Sequence, residues 1–183
     1  MEYISFAADA YLKVLDRSDA RAMYSLTNRN RSYLRQWLPW VDGVTCLEDS
    51  ARFIDITIQQ RHRQQGIHCG IWYKGELAGV LGVHAINWPN RRTAIGYWLG
   101  EEFQGRGLMT RAVAAYLDNL VFGRWQLNRV EIAAATENRK SRAIPERLGF
   151  RLEGILRCNE FLYDHYVDHA VYGLLASEWR TNG

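Results

Sequence analysis

Cysteine, proline and lysine are scarce in this sequence, and each scarcity narrows what the chain can be. The three cysteines, Cys46, Cys69 and Cys158, lie far apart and form no C-x-x-C pair, which argues against a disulfide framework. The five histidines do not combine with them at ligand spacing, so no metal site is predicted. With only three prolines and 48% hydrophobic residues, this is not the composition of a disordered chain or a linker.

A secretory leader and a long apolar run are also lacking. The opening residues MEYISFAADAYLKVL show no signal-peptide pattern, and no later stretch is apolar for long enough to span a membrane. Together with the dispersed cysteines, this predicts a cytoplasmic protein with no membrane partner. A length of 183 residues favours a single domain, residues 1–183, with a core at about residues 8–178.

Neither charge sign is in large excess, because 23 basic residues oppose 20 acidic ones for a net charge of +3. Arginine supplies most of the positive charge, since lysine occurs only at Lys13, Lys74 and Lys140. Arginine suits carboxylate and phosphate partners, but so small an excess favours an ordinary solvated surface. No direct nucleic-acid partner is predicted.

Hydrophobic periodicity places strands and helices in the first half of the chain. It predicts a first strand at Tyr11–Leu15 and then a helical segment that is interrupted near Asn28–Asn30. Thr45 and Glu48 have the spacing of a capping box for the next helix. Two alternating runs, 67–73 and 76–85, flank a Lys74-Gly75 turn and predict a β-hairpin.

The stretch from Thr93 to Gly123 reads as a strand, a glycine turn and an amphipathic helix. This order directs free backbone N–H groups and the positive end of a helix dipole at one spot, which suits a pyrophosphate. A nucleoside-triphosphate loop is excluded, because Leu108 and Met109 follow Gly107 where Lys and Ser or Thr are needed. A dinucleotide fingerprint fails at its third glycine, which is Thr110 here.

The remaining segments alternate between strand and helix. A buried-looking strand is predicted at Val130–Ala135, and a helix at about Lys140–Leu148 that ends before Gly149. Two closing strands, at 151–157 and roughly 166–175, are predicted to pair antiparallel.

Four segments in order resemble the Gcn5-related N-acetyltransferase (GNAT) superfamily. Residues 104–109, QGRGLM, match its motif A, Q/R-x-x-G-x-G/A, except that Met109 replaces the last small residue. The neighbouring YWLGEEF and MTRA, the later N-x-x-S…E-R-L-G-F and the upstream LRQWLPWVD are similar to the RimJ/RimL branch of ribosomal-protein N-terminal acetyltransferases. The resemblance implies an α/β (α+β mixed) GNAT fold: a highly twisted, mostly antiparallel mixed sheet with helices on both faces and a splayed central strand pair.

The resemblance also implies acetyl-CoA as co-substrate and a set of residues that bind it. These cofactor-binding residues are Tyr97, Trp98, Leu99, Gln104, Gly105, Arg106, Gly107, Leu108, Met109, Thr110, Asn138 and Ser141. Many family members carry a tyrosine, seven residues after the asparagine, that protonates the leaving thiolate; here that position is Pro145. Ser141 is therefore the implied catalytic residue that stabilises the thiolate.

For the acceptor side, the resemblance implies Glu160 as the catalytic base, in the segment between the two closing strands. Glu102, Glu131, His84 and Tyr163 are lesser candidates for this role. An amphipathic substrate-binding wall is predicted from aromatic and polar side chains before and after the cofactor site: Trp40, His84, Asn87, Trp88 and Phe161.

These observations predict an N-acetyltransferase that acts by direct attack of a primary amine in a ternary complex, without an acetyl-cysteine at Cys158. The expected acceptor is a protein N-terminus, such as that of a ribosomal protein. Two alternatives remain open: a small-amine acetyltransferase acting on a polyamine, aminosugar or amino acid, and a non-catalytic acetyl-CoA sensor, which Pro145 in place of the acid tyrosine would favour. A homodimer or higher homo-oligomer is compatible with the sequence.

Overall fold

The computed structural model describes residues 3–181, which form a mixed α/β structure. The strands are β1 (Tyr3–Ala7), β2 (Ala10–Val14), β3 (His68–Tyr73), β4 (Glu76–Asn87), β5 (Arg92–Leu99), β6 (Arg129–Ala135), β7 (Arg151–Leu162) and β8 (His165–Leu175). The helices are α1 (Ala20–Arg29), α2 (Arg31–Leu34), α3 (Leu47–His62), α4 (Leu108–Tyr116), α5 (Arg139–Arg147) and α6 (Ala176–Thr181). Helix α4 continues as a π-helical segment, Leu117–Arg124, close to the predicted end at Gly123.

The eight strands make one sheet in the order β1-β2-β3-β4-β5-β6-β8-β7. Every neighbouring pair is antiparallel except β5 and β6, which are parallel. A parallel pair needs a crossover, and α4 supplies it between the two strands. The prediction of a mostly antiparallel mixed sheet is confirmed.

The core forms where apolar faces of helices pack on the sheet. Helix α1 packs against β4 and α3, whereas α4 packs against β1 and β2. Leu108, Ala112 and Val113 of α4 are buried, as the 3.6-residue period of this segment requires. The buried Tyr116 hydroxyl donates a 2.6 Å hydrogen bond to the Ile67 carbonyl, which ties the end of α4 to the segment before β3.

Most predicted elements are present, but the two ends of the sheet differ from the prediction. Strand β1 precedes the strand predicted at Tyr11–Leu15 and pairs with it, so the sheet begins one strand earlier. At the other edge, β7 and β8 are longer than predicted and meet in a tight turn. Glu160 therefore lies inside β7, opposite Val167, and not in a loop between the closing strands.

The capping box predicted for α3 is wrong by one residue. The N-cap is Cys46, and the reciprocal partner is Asp49. The Asp49 carboxylate accepts hydrogen bonds from the backbone N–H groups of Thr45 and Cys46 at 2.9 and 3.1 Å, and these bonds lower its pKa to about 2. Asp49 is the third residue of the helix, and its side chain, which is shorter than that of Glu48, reaches both of these N–H groups.

Candidate active site

The parallel pair β5 and β6 comes apart in the middle of the sheet. The two strands pair from Arg92 and Arg129 as far as Ile95 and Ile132, and the pairing then stops. Beyond this point residues 96–99 pair only with β4, and residues 133–135 pair only with β8. The inner edges of both strands thus keep backbone groups without a strand partner, which an extended amide-containing ligand can satisfy.

The glycine turn follows directly after this opening. Gly105 and Gly107 have φ of 72° and 67°, a left-handed backbone that favours glycine. Gly107 is the N-cap of α4, and no side chain caps this helix end. The first N–H groups of α4 are therefore available to an anion, and the helix dipole adds to their attraction.

Helix α1 holds the segment that leads into the turn. The buried Asn30 accepts a 2.8 Å hydrogen bond from the Glu101 N–H and donates one of 3.0 Å to the Leu26 carbonyl. Arg29 and Glu102 form an ion pair at 2.7 Å. Burial raises the pKa of Glu102, but a hydrogen bond from its own backbone N–H and the contact with Arg29 outweigh burial, so the pKa is lowered. These contacts fix where the turn begins relative to the sheet.

A cavity of about 830 Å³, here called the turn pocket, runs along the glycine turn and the open edge of β5. Its lining includes all twelve of the predicted cofactor-binding residues: Tyr97, Trp98, Leu99, Gln104, Gly105, Arg106, Gly107, Leu108, Met109, Thr110, Asn138 and Ser141. Four cations also line it, Arg106, Arg111, Lys140 and Arg147, with no carboxylate among the lining residues. This charge pattern suits a ligand with several phosphate groups. Of these four cations, Arg106 is among the cofactor-binding residues that the family resemblance implies.

The start of α5 closes one end of the turn pocket. The Asn138 side chain caps this helix by accepting a 3.1 Å hydrogen bond from the Ser141 N–H. Pro145 has no N–H for the Ser141 carbonyl, which instead accepts a 3.0 Å hydrogen bond from the Tyr97 hydroxyl. Burial raises the pKa of Tyr97, so its hydroxyl stays protonated and remains a donor. The proline thus couples α5 to the open edge of β5.

A second cavity of about 760 Å³, the hairpin pocket, lies on the other side of the same opening. The two pockets share one wall, made by Trp37, Leu38, Tyr97, Trp98, Asn138 and Ser141. Three of the residues predicted for the acceptor side line the hairpin pocket: Trp40, His84 and Glu160. A ligand in each pocket would therefore meet the other at the shared wall, beside Ser141.

The structure does not bring Asn87, Trp88 and Phe161 to this pocket. Asn87 accepts a 3.0 Å hydrogen bond from the Asn90 N–H and so closes the turn between β4 and β5. The Trp88 indole N–H donates to the Gln64 carbonyl at 2.9 Å, where it anchors the same turn. The exposed ring of Phe161 packs on Tyr166 within the β7–β8 hairpin. These side chains thus make local contacts in the β4–β5 turn and the β7–β8 hairpin. The sequence alone did not distinguish such a role from substrate binding.

Not all of the lesser candidates for the catalytic base line the hairpin pocket. His84 lines the hairpin pocket, but Glu102 and Glu131 do not; Glu131 is held at 3.0 Å by Arg129. The Tyr163 hydroxyl donates to the Leu38 carbonyl at 2.7 Å. Glu160 is thus the candidate carboxylate that lines the hairpin pocket.

Sequence reasoning missed two histidines that line the hairpin pocket. His169 lies 3.4 Å from Glu160, measured from Nε2 to Oε2. His68 packs edge-on against Phe53, and its Nδ1 is buried without a hydrogen-bond partner. Burial, with a smaller effect from His84, lowers the pKa of His68 to about 4, so this ring is neutral at neutral pH. A neutral imidazole nitrogen can accept a hydrogen bond from a ligand hydroxyl or amine.

Within residues 3–181, no group of three or more His, Cys, Asp or Glu side chains is arranged to hold a metal ion. None of the helices found there combines the length and the apolar character needed to cross a membrane.

Comparisons with known proteins identify the family. A sequence profile of the acetyltransferase (GNAT) domain matches residues 10–151. The chain is 34% identical to YdaF of Bacillus subtilis, provisionally assigned to the ribosomal N-acetyltransferases, over 92% of each chain. It is 30% identical to the ribosomal-protein-serine acetyltransferase of Escherichia coli, over 93% of this chain and 95% of the relative.

A solved structure supports the same assignment. RimL, a ribosomal L7/L12 α-N-protein acetyltransferase in complex with coenzyme A, superposes with a TM-score of 0.91 at 31% identity, covering 95% of this chain and 98% of that one. The chain belongs to the GNAT acetyltransferases, and it is an acetyl-CoA-dependent N-acetyltransferase of the ribosomal-protein acetyltransferase type.

Proposed function

We propose that this enzyme acetylates the N-terminal α-amino group of a protein, with a ribosomal protein as the leading class of acceptor. The observation that carries the proposal is the shared wall between the two pockets, with the phosphate-binding features on one side and Glu160 on the other. The relatives named for ribosomal-protein acetylation add support for the acceptor class. Such an acceptor would place the reaction in the cytoplasm.

The residues of the turn pocket have the chemistry to bind acetyl-CoA. The N–H groups of the glycine turn and of the start of α4 would hold the pyrophosphate, with Arg106, Arg111 and Lys140 nearby. The open edges at residues 96–99 and 133–135 would pair with the amides of the pantetheine arm. Bound in this way, acetyl-CoA supplies the thioester carbonyl that the amine attacks.

Glu160 and Ser141 would then handle the protons. An N-terminal ammonium has a pKa of about 8, so a weak base is enough to deprotonate it, and Glu160 in the lining of the hairpin pocket would accept this proton. As the new C–N bond forms and the C–S bond breaks, the Ser141 hydroxyl would donate a hydrogen bond to the departing thiolate. A thiol with a pKa of about 8.5 needs only such modest help to leave.

The charges of the hairpin pocket argue against a polyamine acceptor. A polycation is best held by several free carboxylates, but the pocket has Asp49 and Glu160 only, and Arg52 lies in the same lining. Asp49 is already committed to capping α3. This leaves Glu160 as the one lining carboxylate that is not used in a helix cap, which suits a single amine.

The proposal is tested by thiol release from acetyl-CoA with peptides that begin with Ser or Ala, beside spermidine and an aminosugar. We expect turnover on peptides, and we expect Glu160→Gln to lower kcat by about 100-fold or more without changing the affinity for CoA. Glu76→Gln is the matched control, because Glu76 is exposed and lines neither pocket. Faster turnover of spermidine would contradict the acceptor class. Tight CoA binding with no thiol release from any amine would favour a sensor.

A further inference from the structure

Glu160 and His169 face each other across the β7–β8 hairpin, at the wall of the hairpin pocket. Nε2 of His169 lies 3.4 Å from Oε2 of Glu160, and the two side chains are 14% and 31% exposed. Both line the pocket. In residues 3–181, Glu160 is the one acidic group within 4.0 Å of His169.

An irregularity in β7 creates this arrangement. Leu156 pairs with His169, but Glu160 pairs with Val167, so β7 advances four residues while β8 advances two. In a regular ladder Glu160 would lie opposite His165, about 7 Å farther from His169. The bulge therefore moves Glu160 along the hairpin toward His169, and a strand places Val167 and His169 on the same face.

The bulge is held by its own hydrogen bond. Cys158 adopts a φ of 49°, and its N–H donates to the Asp168 carboxylate at 2.8 Å. Asp168 immediately precedes His169 in β8. The first of these two neighbours thus holds the bulge, and the second contacts Glu160.

The hydrogen bonds around His169 fix which ring nitrogen carries the proton. The Asn159 side-chain amide lies 3.1 Å from Nδ1, with its nitrogen facing the ring, so Asn159 donates and Nδ1 accepts. In the neutral ring the hydrogen is then on Nε2, which points at Glu160. Asn159 thus donates to Nδ1 of His169, and the Nε2–H of His169 faces Oε2 of Glu160 at a distance of 3.4 Å between the heavy atoms.

We propose that His169 is a positioning residue for the catalytic carboxylate: its Nε2–H holds one oxygen of Glu160 so that the other faces the amine of the acceptor. The inference rests on the proposed function, since it assigns His169 a role only through Glu160. Orientation of a reacting group within a fraction of an ångström is worth about 10- to 100-fold in rate.

The kinetic test compares His169→Leu, which has no donor, with His169→Gln, whose side-chain amide can still reach Glu160. With a peptide beginning with Ser as acceptor, we expect His169→Leu to lower kcat by about tenfold or more, with the KM for acetyl-CoA unchanged. His169→Gln should retain most of the activity. His165→Leu is the matched control, because His165 lies on the same hairpin but outside both pockets.

A double-mutant cycle separates this role from a structural one. If His169 acts through Glu160, adding His169→Leu to Glu160→Gln should cause no further loss of kcat. Additive losses, or equal losses in the Gln and Leu variants, would overturn the inference. If Glu160→Gln itself leaves kcat unchanged, the proposed base is wrong and the inference about His169 fails with it, whereas turnover on peptides would still support the proposed acceptor class.

A spectroscopic readout tests the geometry without turnover. In protein labelled with ¹⁵N-histidine, the His169 ring, identified by its loss in His169→Gln, should show the Nε2–H tautomer, and Glu160→Gln should shift its signal. A His169 ring in the Nδ1–H tautomer, or a signal that ignores Glu160→Gln, would contradict the proposed contact.

Discussion

At the scale of single residues, Pro145 has consequences well beyond its own position. It removes the helical donor for the Ser141 carbonyl, and the Tyr97 hydroxyl takes the place of that donor at 3.0 Å. The bond joins the open edge of β5 to the first turn of α5, so two parts of the turn-pocket lining are fixed to each other. A proline inside a helix always leaves such a carbonyl without its helical donor, but the sequence does not indicate which strand residue satisfies it.

Removing the Tyr97 hydroxyl tests whether it replaces the helical donor to the Ser141 carbonyl. We expect Tyr97→Phe to lower the free energy of unfolding by about 1 kcal/mol, because a partly buried carbonyl loses its hydrogen-bond partner. Pro145→Ala restores a backbone N–H to α5, so Tyr97→Phe should cost less in that background. Urea unfolding of the four proteins measures both effects. An equal cost with and without Pro145 would show that the hydroxyl does not replace the helical donor.

At the scale of elements, the glycine turn was predictable and the β7 bulge was not. A left-handed backbone at Gly105 and Gly107 favours glycine, so the residue type reveals the geometry. The bulge has the same kind of backbone at Cys158, a residue type that gives no such signal. Its cause is the long-range bond from Cys158 to Asp168, and this is why Glu160 was expected in a loop but lies in a strand.

The α3 cap shows a second limit of local patterns. Thr45 with Glu48 and Cys46 with Asp49 are both spaced by three residues, and propensity favours Thr over Cys as the N-cap. The structure uses the second pair, in which Asp49 also accepts a 3.0 Å hydrogen bond from the Thr45 hydroxyl. Two overlapping patterns of equal spacing can be separated only by the position of the helix in the fold.

The turn itself supports a prediction about cofactor binding. No atom lies closer than 3.7 Å to a methyl group placed on Gly107, so a substitution there acts through the backbone and the pocket, not through a clash within the protein. The positive φ should cost Gly107→Ala about 1–2 kcal/mol of stability. We expect a raised KM for acetyl-CoA, because the N–H groups at the start of α4, which are proposed to bind the pyrophosphate, would be displaced.

Gly154→Ala is the control for this measurement. Gly154 lies in β7, has open space at its methyl position and lacks a positive φ. It should therefore leave the KM for acetyl-CoA unchanged. An unaltered KM in Gly107→Ala would show that the glycine turn does not hold the pyrophosphate.

At the scale of the whole molecule, the sheet gives the turn pocket and the hairpin pocket a common wall. The parallel pair β5 and β6 opens where the antiparallel neighbours β4 and β8 continue, so the opening is bordered by paired strands on both sides. The turn pocket and the hairpin pocket approach this opening from different sides and share the wall at Tyr97, Trp98 and Ser141. Sequence patterns located β4, β5, β6 and β8, but only the fold shows that the pairing of β5 with β6 stops at Ile95 and Ile132.

This arrangement predicts direct transfer without an acetylated enzyme. Cys158 is exposed and lines neither pocket, so it is badly placed to carry the acetyl group between substrates. With acetyl-CoA and a Ser-initiated peptide varied together, we expect intersecting double-reciprocal plots, which indicate a ternary complex. Cys158→Ala should keep the wild-type kcat, and intact-protein mass spectrometry should find no acetyl adduct after incubation with acetyl-CoA alone. Parallel plots, together with an adduct that disappears in Cys158→Ala, would instead require a covalent route and a different use of the two pockets.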